Sequence, residues 1–177
     1  MIANVASLHG QASVVEPRPM TFLDAQKFAR SGSWTPSPDG EWLLHSVTTP
    51  DWGKDKSQSD LYLVSMKEGV ESTRQLTFTQ DKNETSPAWS KNGAFFVFAS
   101  DRDQTEELRG QQLYMMRPDG GEARAVTDAK WGVADFEFSK DGDWLIYRSG
   151  EEGREQLYRL PVDDILGSTP LQVTRGA

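Results

Sequence analysis

A chain of 177 residues with 36% hydrophobic and 10% aromatic residues is long enough to fold as a domain with a buried core. Its 27 acidic and 19 basic residues give a net charge of −8, which argues against nucleic acid as a partner. The absence of Cys excludes disulfides, thiolate zinc sites and cysteine nucleophiles, and no apolar stretch is long enough to cross a membrane.

The amino-terminal region carries no periodic pattern, and we expect residues 1–19 to be disordered. Leu8–Ser13 resembles the end of an export signal, but neither a basic start nor an apolar stretch precedes it. A truncated signal would place the protein in the periplasm or outside the cell, whereas a plain disordered terminus leaves a cytoplasmic location open. Helical spacing of apolar residues from Met20 to Ala29 predicts a short helix, within a segment 20–31 that leads into the main domain.

Three motifs then recur in the same order, three times over. The first is a turn whose glycines, Gly40, Gly93 and Gly142, lie 53 and 49 residues apart. The second is a short strand with a central Tyr, and the third is a segment that closes on Thr. Their positions are Ser37–Leu44, Ser90–Val97 and Ser139–Ile146 for the turn, Asp60–Val64, Gln112–Met116 and Gln156–Leu160 for the Tyr strand, and Gln75–Thr77, Ala125–Thr127 and Gln172–Thr174 for the closing segment. A period near 50 residues is typical of repeat architectures.

The turn motif contains Asp-Gly or Asn-Gly, which accept the positive φ of tight hairpins, and an apolar strand follows each copy. Four short strands for each repeat predict an all-β fold, a partial β-propeller of about three four-stranded blades after the short helix. We place this incomplete propeller at 32–177, with blades at 32–79, 80–129 and 130–177. Closed propellers have four to eight blades. We therefore expect either a piece of a longer protein or a chain that completes its ring by association.

The helix at Met20–Asp24, followed directly by Ser37–Leu44, resembles the opening of the propeller in serine peptidases of the prolyl oligopeptidase family, in their acylaminoacyl-peptidase and dipeptidyl-peptidase-like branch. The similarity continues through Ser86–Ser90 and Phe98–Arg102 and covers about residues 20 to 177. The periplasmic propeller of the Tol system contains similar sequence motifs, but a separate domain precedes its propeller.

This resemblance implies that an α/β-hydrolase domain follows the propeller and cleaves short peptides with Ser, Asp and His. The chain contains no Gly-x-Ser-x-Gly, and its histidines are only His9 and His45, so we assign no catalytic residue to it. The expected function is the N-terminal substrate-gating propeller of a serine peptidase, with the catalytic domain outside this chain. The alternative is a non-enzymatic, protein-binding propeller like that of the Tol system.

Glu151 and Glu152 are the candidate substrate-binding residues, because the dipeptidyl branch holds the charged amino terminus of its substrate with a pair of glutamates. Their place in a middle hairpin loop favours a solvated turn instead. Asp101–Glu107 is spaced like the start of a calcium loop, but Glu106 occupies the place of the required Gly. We therefore predict no metal and no cofactor.

The predicted partners follow from this assignment. They are a peptide substrate, reached through the parent enzyme, and the further blades and hydrolase domain, with no nucleic acid and no membrane. The last blade of an incomplete propeller would leave an apolar face and a sheet edge open, which predicts self-association of the isolated chain.

Overall fold

Twelve β-strands and one short helix make up the computed structural model, which describes residues 18–175. The strands form three four-stranded antiparallel sheets, in which each strand pairs with its neighbours in sequence. They are β1 Arg30–Pro36, β2 Trp42–Asp51, β3 Lys56–Ser65 and β4 Gly69–Gln75 in blade 1; β5 Glu84–Trp89, β6 Phe96–Ser100, β7 Gln112–Arg117 and β8 Gly120–Ala125 in blade 2; and β9 Asp135–Phe138, β10 Trp144–Ser149, β11 Gln156–Pro161 and β12 Leu171–Gln172 in blade 3. The predicted all-β fold with about three four-stranded blades is confirmed. The signal-like Leu8–Ser13 lies outside the described residues, and the domain bounds at 19 and 31 stay predictions.

The helix α1 is shorter than the sequence predicts and covers only Phe22–Gln26. Thr21 caps its start in a capping box with Asp24, and Lys27 ends it. Phe22 remains 76% exposed, so little tertiary packing supports a longer helix. Within residues 18–175, the helical structure is too short to span a membrane.

The turn motif forms the same hydrogen bonds in all three blades. In blade 1 the hydroxyl of Ser37 accepts from the amide of Trp42 at 2.9 Å, and the carboxylate of Asp39 accepts from the amide of Glu41 at 3.0 Å. Gly40 follows at φ 73°, a conformation that favours Gly. The equivalent serines and Asx residues of blades 2 and 3 are Ser90, Asn92, Ser139 and Asp141. The repeat is therefore a turn that satisfies its own backbone and sets the register of the hairpin.

The second and third motifs meet in a clasp that closes each blade. In blade 2 the hydroxyl of Thr127 donates to Oε1 of Gln112 at 2.8 Å and accepts from the amide of Leu113 at 2.9 Å. Gln112 also bonds both backbone groups of Ala129. The clasp residues of the outer blades are Asp60 with Thr77 and Gln156 with Thr174. These contacts explain why the two motifs recur in phase.

We expect Thr127→Val to lower the free energy of unfolding by about 1 to 3 kcal/mol, because it removes a hydroxyl on which two buried polar groups depend. Thr174→Val is the matched control, since its partner amide belongs to the exposed Leu157, where water replaces the lost bond. Urea denaturation of both variants measures the difference. Equal losses at the two positions would contradict the role assigned to the buried clasp.

Adjacent blades stack face to face. We call the face of a blade that contacts the next blade along the chain its leading face, and the opposite one its trailing face. The leading face of blade 1, with Leu44, Leu61 and Leu63, packs on the trailing face of blade 2, with Phe96 and Phe98. The leading face of blade 2 packs in turn on the trailing face of blade 3, and this second core contains Val97, Leu113, Leu145, Tyr147 and Leu160.

The position of a blade in the stack decides whether the apolar strand after its hairpin turn is buried on both faces. All five residues of β6 are buried, because blade 2 has a neighbour on each side. In β10, burial alternates: Leu145 and Tyr147 are buried, but Trp144 and Ile146 are only half-buried. The leading face of blade 3 has no covering sheet among residues 18–175, which leaves Trp144 less buried than its place after the hairpin turn predicts.

Candidate functional site

The first strands of the three blades converge on one side of the molecule, where the channel of a propeller lies. A 300 Å³ pocket opens there, and its walls come from β1, β5 and β9. Ser33, Ser86, Pro87, Asp135 and Phe136 are among its lining residues. Short polar and apolar side chains from all three blades thus meet in one pocket wall.

A pair of β-bulges shapes this wall. One interrupts the pairing of β1 between Ser31 and Trp34, and the other interrupts β5 between Thr85 and Ala88. Ser86 in the second bulge has φ 53°, which is uncommon for a residue with a side chain. Its amide donates to the hydroxyl of Ser33 at 2.8 Å, so the two bulges are locked to each other. This hydrogen bond ties blade 1 to blade 2 at the pocket wall.

His45 is the one histidine among residues 18–175. It lies in β2 and is half-buried. Its ring packs against Tyr62 with the centroids 5.9 Å apart. Its Nδ1 atom has no hydrogen-bond partner among residues 18–175, and burial lowers the pKa of the imidazole below its ordinary value. His9 lies outside the described residues.

Glu151 and Glu152 lie in the loop between β10 and β11, and both are exposed. Together with Glu155 and Trp131 they line an open pocket of about 620 Å³. The carboxylate of Glu151 is 4.0 Å from the guanidinium of Arg154 within the same turn. The structure thus brings three glutamates to one pocket, and a role in holding a substrate ammonium group stays a prediction.

The calcium-like segment forms part of the loop between β6 and β7. The carboxylate of Asp101 accepts hydrogen bonds from the backbone and side-chain amides of Asn83. The carboxylate of Asp103 accepts from the hydroxyl of Tyr114. These acidic groups therefore point at protein donors, and residues 18–175 contain no group of three or more His, Asp or Glu side chains arranged to hold a metal ion.

A buried ion pair that sequence reasoning missed lies at the base of this loop. Glu84 is fully buried, and its Oε1 accepts from Arg102 at 3.0 Å and from Ser100 at 3.1 Å. The guanidinium of Arg102 lies 4.6 Å from the ring centroid of Tyr114 and 5.5 Å from that of Phe98. The sequence shows the motif Ser100-Asp101-Arg102. No sequence pattern indicates that Arg102 pairs with a carboxylate 18 residues earlier in the chain.

Burial raises the pKa of the Glu84 carboxyl, and the adjacent Arg102 opposes this rise. Burial and the neighbouring Asp103 likewise raise the pKa of Tyr114, which keeps its hydroxyl protonated as a donor. The network joins β5, β6 and β7 at one end of the blade. It holds in place the loop that follows β6.

An apolar patch lies beside blade 1 at the end of the β2–β3 hairpin. Phe22, Phe28 and Trp52 line one open surface pocket there, and each is more than half exposed. The indole nitrogen of Trp52 donates to the carbonyl of Gln26 at 2.6 Å and ties the helix to the hairpin. Side chains of this size, exposed next to one another, are typical of a surface that another protein element covers.

No protein-family model matches the chain. Curated relatives include an uncharacterized peptidase, YuxL, of Bacillus subtilis, which is 32% identical over 111 residues, covering 62% of this chain and 16% of that protein. Dipeptidyl-peptidase 5 of Porphyromonas endodontalis is 27% identical over 138 residues, covering 77% of this chain and 18% of that protein. The chain therefore spans less than a fifth of the length of these two relatives.

Solved structures with the same fold include puromycin hydrolase, with a TM-score of 0.64 and 18% identity over 84% of this chain and 23% of that one. The acylaminoacyl peptidase of Pyrococcus horikoshii has a TM-score of 0.61 and 12% identity over 85% and 26%. A putative TolB of Agrobacterium tumefaciens has a TM-score of 0.60 and 20% identity over 81% and 48%. The chain is a partial β-propeller, and its predicted resemblance to the propellers of prolyl oligopeptidase-family peptidases is confirmed.

Proposed function

We propose that this chain forms part of the substrate-gating propeller of a serine peptidase that hydrolyses short peptides. The observation that carries the proposal is the 32% identity to a peptidase over a region that folds as stacked propeller blades. In this proposal the catalytic α/β-hydrolase domain belongs to another part of the parent protein. The strands β1, β5 and β9 form a segment of the channel wall.

The gating role is physical exclusion of large substrates. A channel bounded by rigid sheets admits an extended peptide and rejects a folded protein, because bulges and buried clasps hold the wall in one conformation. The apolar patch around Trp52 supports this proposal, because another domain of the parent protein would cover it at the end of the β2–β3 hairpin. Glu151 and Glu152 would then supply negative charge at the rim of the pocket that they line, facing a substrate ammonium group.

Labelling with a fluorophosphonate probe tests the proposal that the nucleophilic serine lies in another domain of the parent protein. We expect no stoichiometric labelling of any serine in the folded 177-residue chain, because its sequence contains no nucleophile elbow and Nδ1 of His45 has no hydrogen-bond partner among residues 18–175. The parent protein that contains this sequence should label at one serine and hydrolyse short peptides but not folded proteins.

Labelling of one specific serine in the 177-residue chain would overturn the gating assignment. A parent protein that neither labels nor hydrolyses peptides would favour the second candidate, a non-enzymatic propeller that binds proteins. The fold similarity to the putative TolB, of which the chain covers 48%, is the observation that supports this candidate. Capture of a protein partner by the parent, without hydrolysis, would establish it.

A further inference from the structure

One of the three hairpin turns carries a side chain that its equivalents lack. The turn of blade 2 contains Asn92 and Gly93, whereas those of blades 1 and 3 have Asp39 and Asp141 before their glycines. Asn92 is exposed to solvent, and of the three asparagines in the sequence it is the one followed by Gly. An asparagine before glycine is prone to lose its side-chain amide, because a residue without Cβ leaves its backbone nitrogen open to the neighbouring side-chain carbonyl.

The loss of this amide, called deamidation, needs only water and these two residues. The backbone nitrogen of Gly93 attacks Cγ of Asn92, the bond from Cγ to Nδ2 breaks, and ammonia leaves with the proton that the Gly93 amide gives up. The product is a five-membered succinimide, which water then opens. Addition of water at Cγ restores the ordinary backbone and leaves an aspartate, whereas addition at the backbone carbonyl carbon gives isoaspartate, in which the chain runs through the side chain.

In the folded turn the reacting groups are hydrogen-bonded to other atoms. The amide of Gly93 donates to the carbonyl of Ser90 at 2.9 Å. Oδ1 of Asn92 accepts from the hydroxyl of Ser90 and from the amide of Ala94, both at 3.0 Å. These three bonds hold the side chain and the attacking nitrogen in one arrangement, so closure of the succinimide ring requires the turn to open.

The turn of blade 1 shows what the aspartate product would do in this structure. Oδ1 of Asp39 accepts from the hydroxyl of Ser37 and from the amide of Glu41, which are the bonds that Asn92 makes in blade 2. The hydrogen bond from Ser37, together with that from the amide of Glu41, lowers the pKa of Asp39, so this turn accommodates a charged carboxylate. Isoaspartate instead adds one atom to the backbone of a tight turn and breaks the hydrogen bond that closes it.

We propose that Asn92 is a deamidation site whose rate is set by the opening of its own hairpin turn. The modification adds one negative charge to a chain whose net charge is −8, and its aspartate product gives all three blades the same Ser-x-Asp-Gly turn. The isoaspartate product opens the turn of blade 2, from which Lys91 donates to the carbonyl of Asp141 in blade 3 at 2.8 Å. The fraction of modified chains therefore records, in covalent form, how often this hairpin opens.

Incubation of the 177-residue chain at mildly alkaline pH, once folded and once in urea, tests the proposal. Peptide mapping by mass spectrometry, with fragmentation that separates aspartate from isoaspartate, measures the modification of each asparagine. We expect modification of Asn92 in both samples, at a rate at least about tenfold lower in the folded one. Asn83, which precedes Glu84 and donates to Asp101, is the internal control and should stay intact. The parent protein provides the folded sample if circular dichroism shows that the 177-residue chain does not hold its fold.

Two matched serine variants test whether the turn controls the rate. Ser90→Ala removes the hydroxyl that binds Oδ1 of Asn92, and it should raise the rate in the folded chain about threefold or more while leaving the rate in urea unchanged. Ser37→Ala makes the same change in the turn of blade 1 and should leave the rate at Asn92 unaltered. If Ser90→Ala does not fold, urea below the unfolding transition replaces the variant and should speed the reaction of the original chain in the same way.

Any of three results would overturn the proposal: no modification of Asn92 in urea, equal rates in the folded and the unfolded chain, or equal effects of Ser90→Ala and Ser37→Ala. Asn92→Asp tests the compatibility of the aspartate product, and this variant should unfold at the same urea concentration as the original chain, whereas chains purified with isoaspartate should unfold at a lower one. Similar midpoints for the two forms would contradict the role assigned to the turn. The readouts involve no hydrolysis of peptides. A failed peptidase assay therefore leaves this proposal intact, and an unmodified Asn92 leaves the peptidase proposal intact.

Discussion

Arg102→Ala is expected to lower the free energy of unfolding by about 3 to 5 kcal/mol, because it leaves the carboxylate of Glu84 buried without its counter-charge. The loss also removes the guanidinium that packs on Phe98 and Tyr114. The matched control is Arg117→Ala, whose pair with Asp119 is exposed to solvent and should contribute no more than about 1 kcal/mol. Chemical denaturation of both variants at neutral pH gives the comparison.

The pH dependence of the stability lost in Arg102→Ala tests whether the buried carboxylate of Glu84 causes the loss. Burial already raises the pKa of Glu84 above its ordinary value of 4.5, and loss of Arg102 would raise it further. Between the unfolded and the folded pKa the folded state binds more protons, so stability falls as the pH rises through the folded pKa. The deficit should therefore be largest near neutral pH and should shrink as the pH falls toward 4.5. A deficit that is the same at both pH values would contradict this explanation.

Leu145→Ala is expected to destabilise the chain by about 2 to 5 kcal/mol, because Leu145 is fully buried between blades 2 and 3 and the change leaves a cavity. Leu43 occupies the same position of the repeat in blade 1, on the open trailing face, and provides a control of identical chemistry. Leu43→Ala should cost less than half as much when both variants unfold from the monomer at low concentration. Similar losses at Leu43 and Leu145 would show that the assigned stacking order is wrong.

The sequence was sufficient to predict the blades because local chemistry sets their turns. Ser37 and Asp39 bond the backbone of their own hairpin, so the motif and its structure are confined to a few residues. The helix was predicted too long, since spacing alone does not show that Phe22 lacks a surface to pack on. Trp144 begins the apolar strand after the third turn but is only half-buried, because its burial depends on a covering sheet that the repeat pattern does not specify.

The contacts around the candidate site were harder to predict because they join residues that are distant in sequence. The ion pair of Glu84 and Arg102 connects two strands, and each residue read alone has the usual chemistry of a surface position. The interlocked bulges at Ser33 and Ser86 join two blades through a backbone conformation that no dipeptide signals. The residues next to Glu151 and Glu152 in sequence were sufficient to predict an exposed turn. They did not indicate the pocket that the two glutamates share with Trp131.

The pairing of every strand with its neighbours in sequence has a consequence for how the chain folds. Within each blade, hydrogen bonding closes only short loops, so little chain entropy is lost before the first contacts form. Each sheet can therefore assemble as a separate cooperative unit while the chain emerges from the ribosome, and the next sheet condenses on a template already in place. The middle blade gains most from this order, since it buries one face on the blade before it and the other on the blade after it.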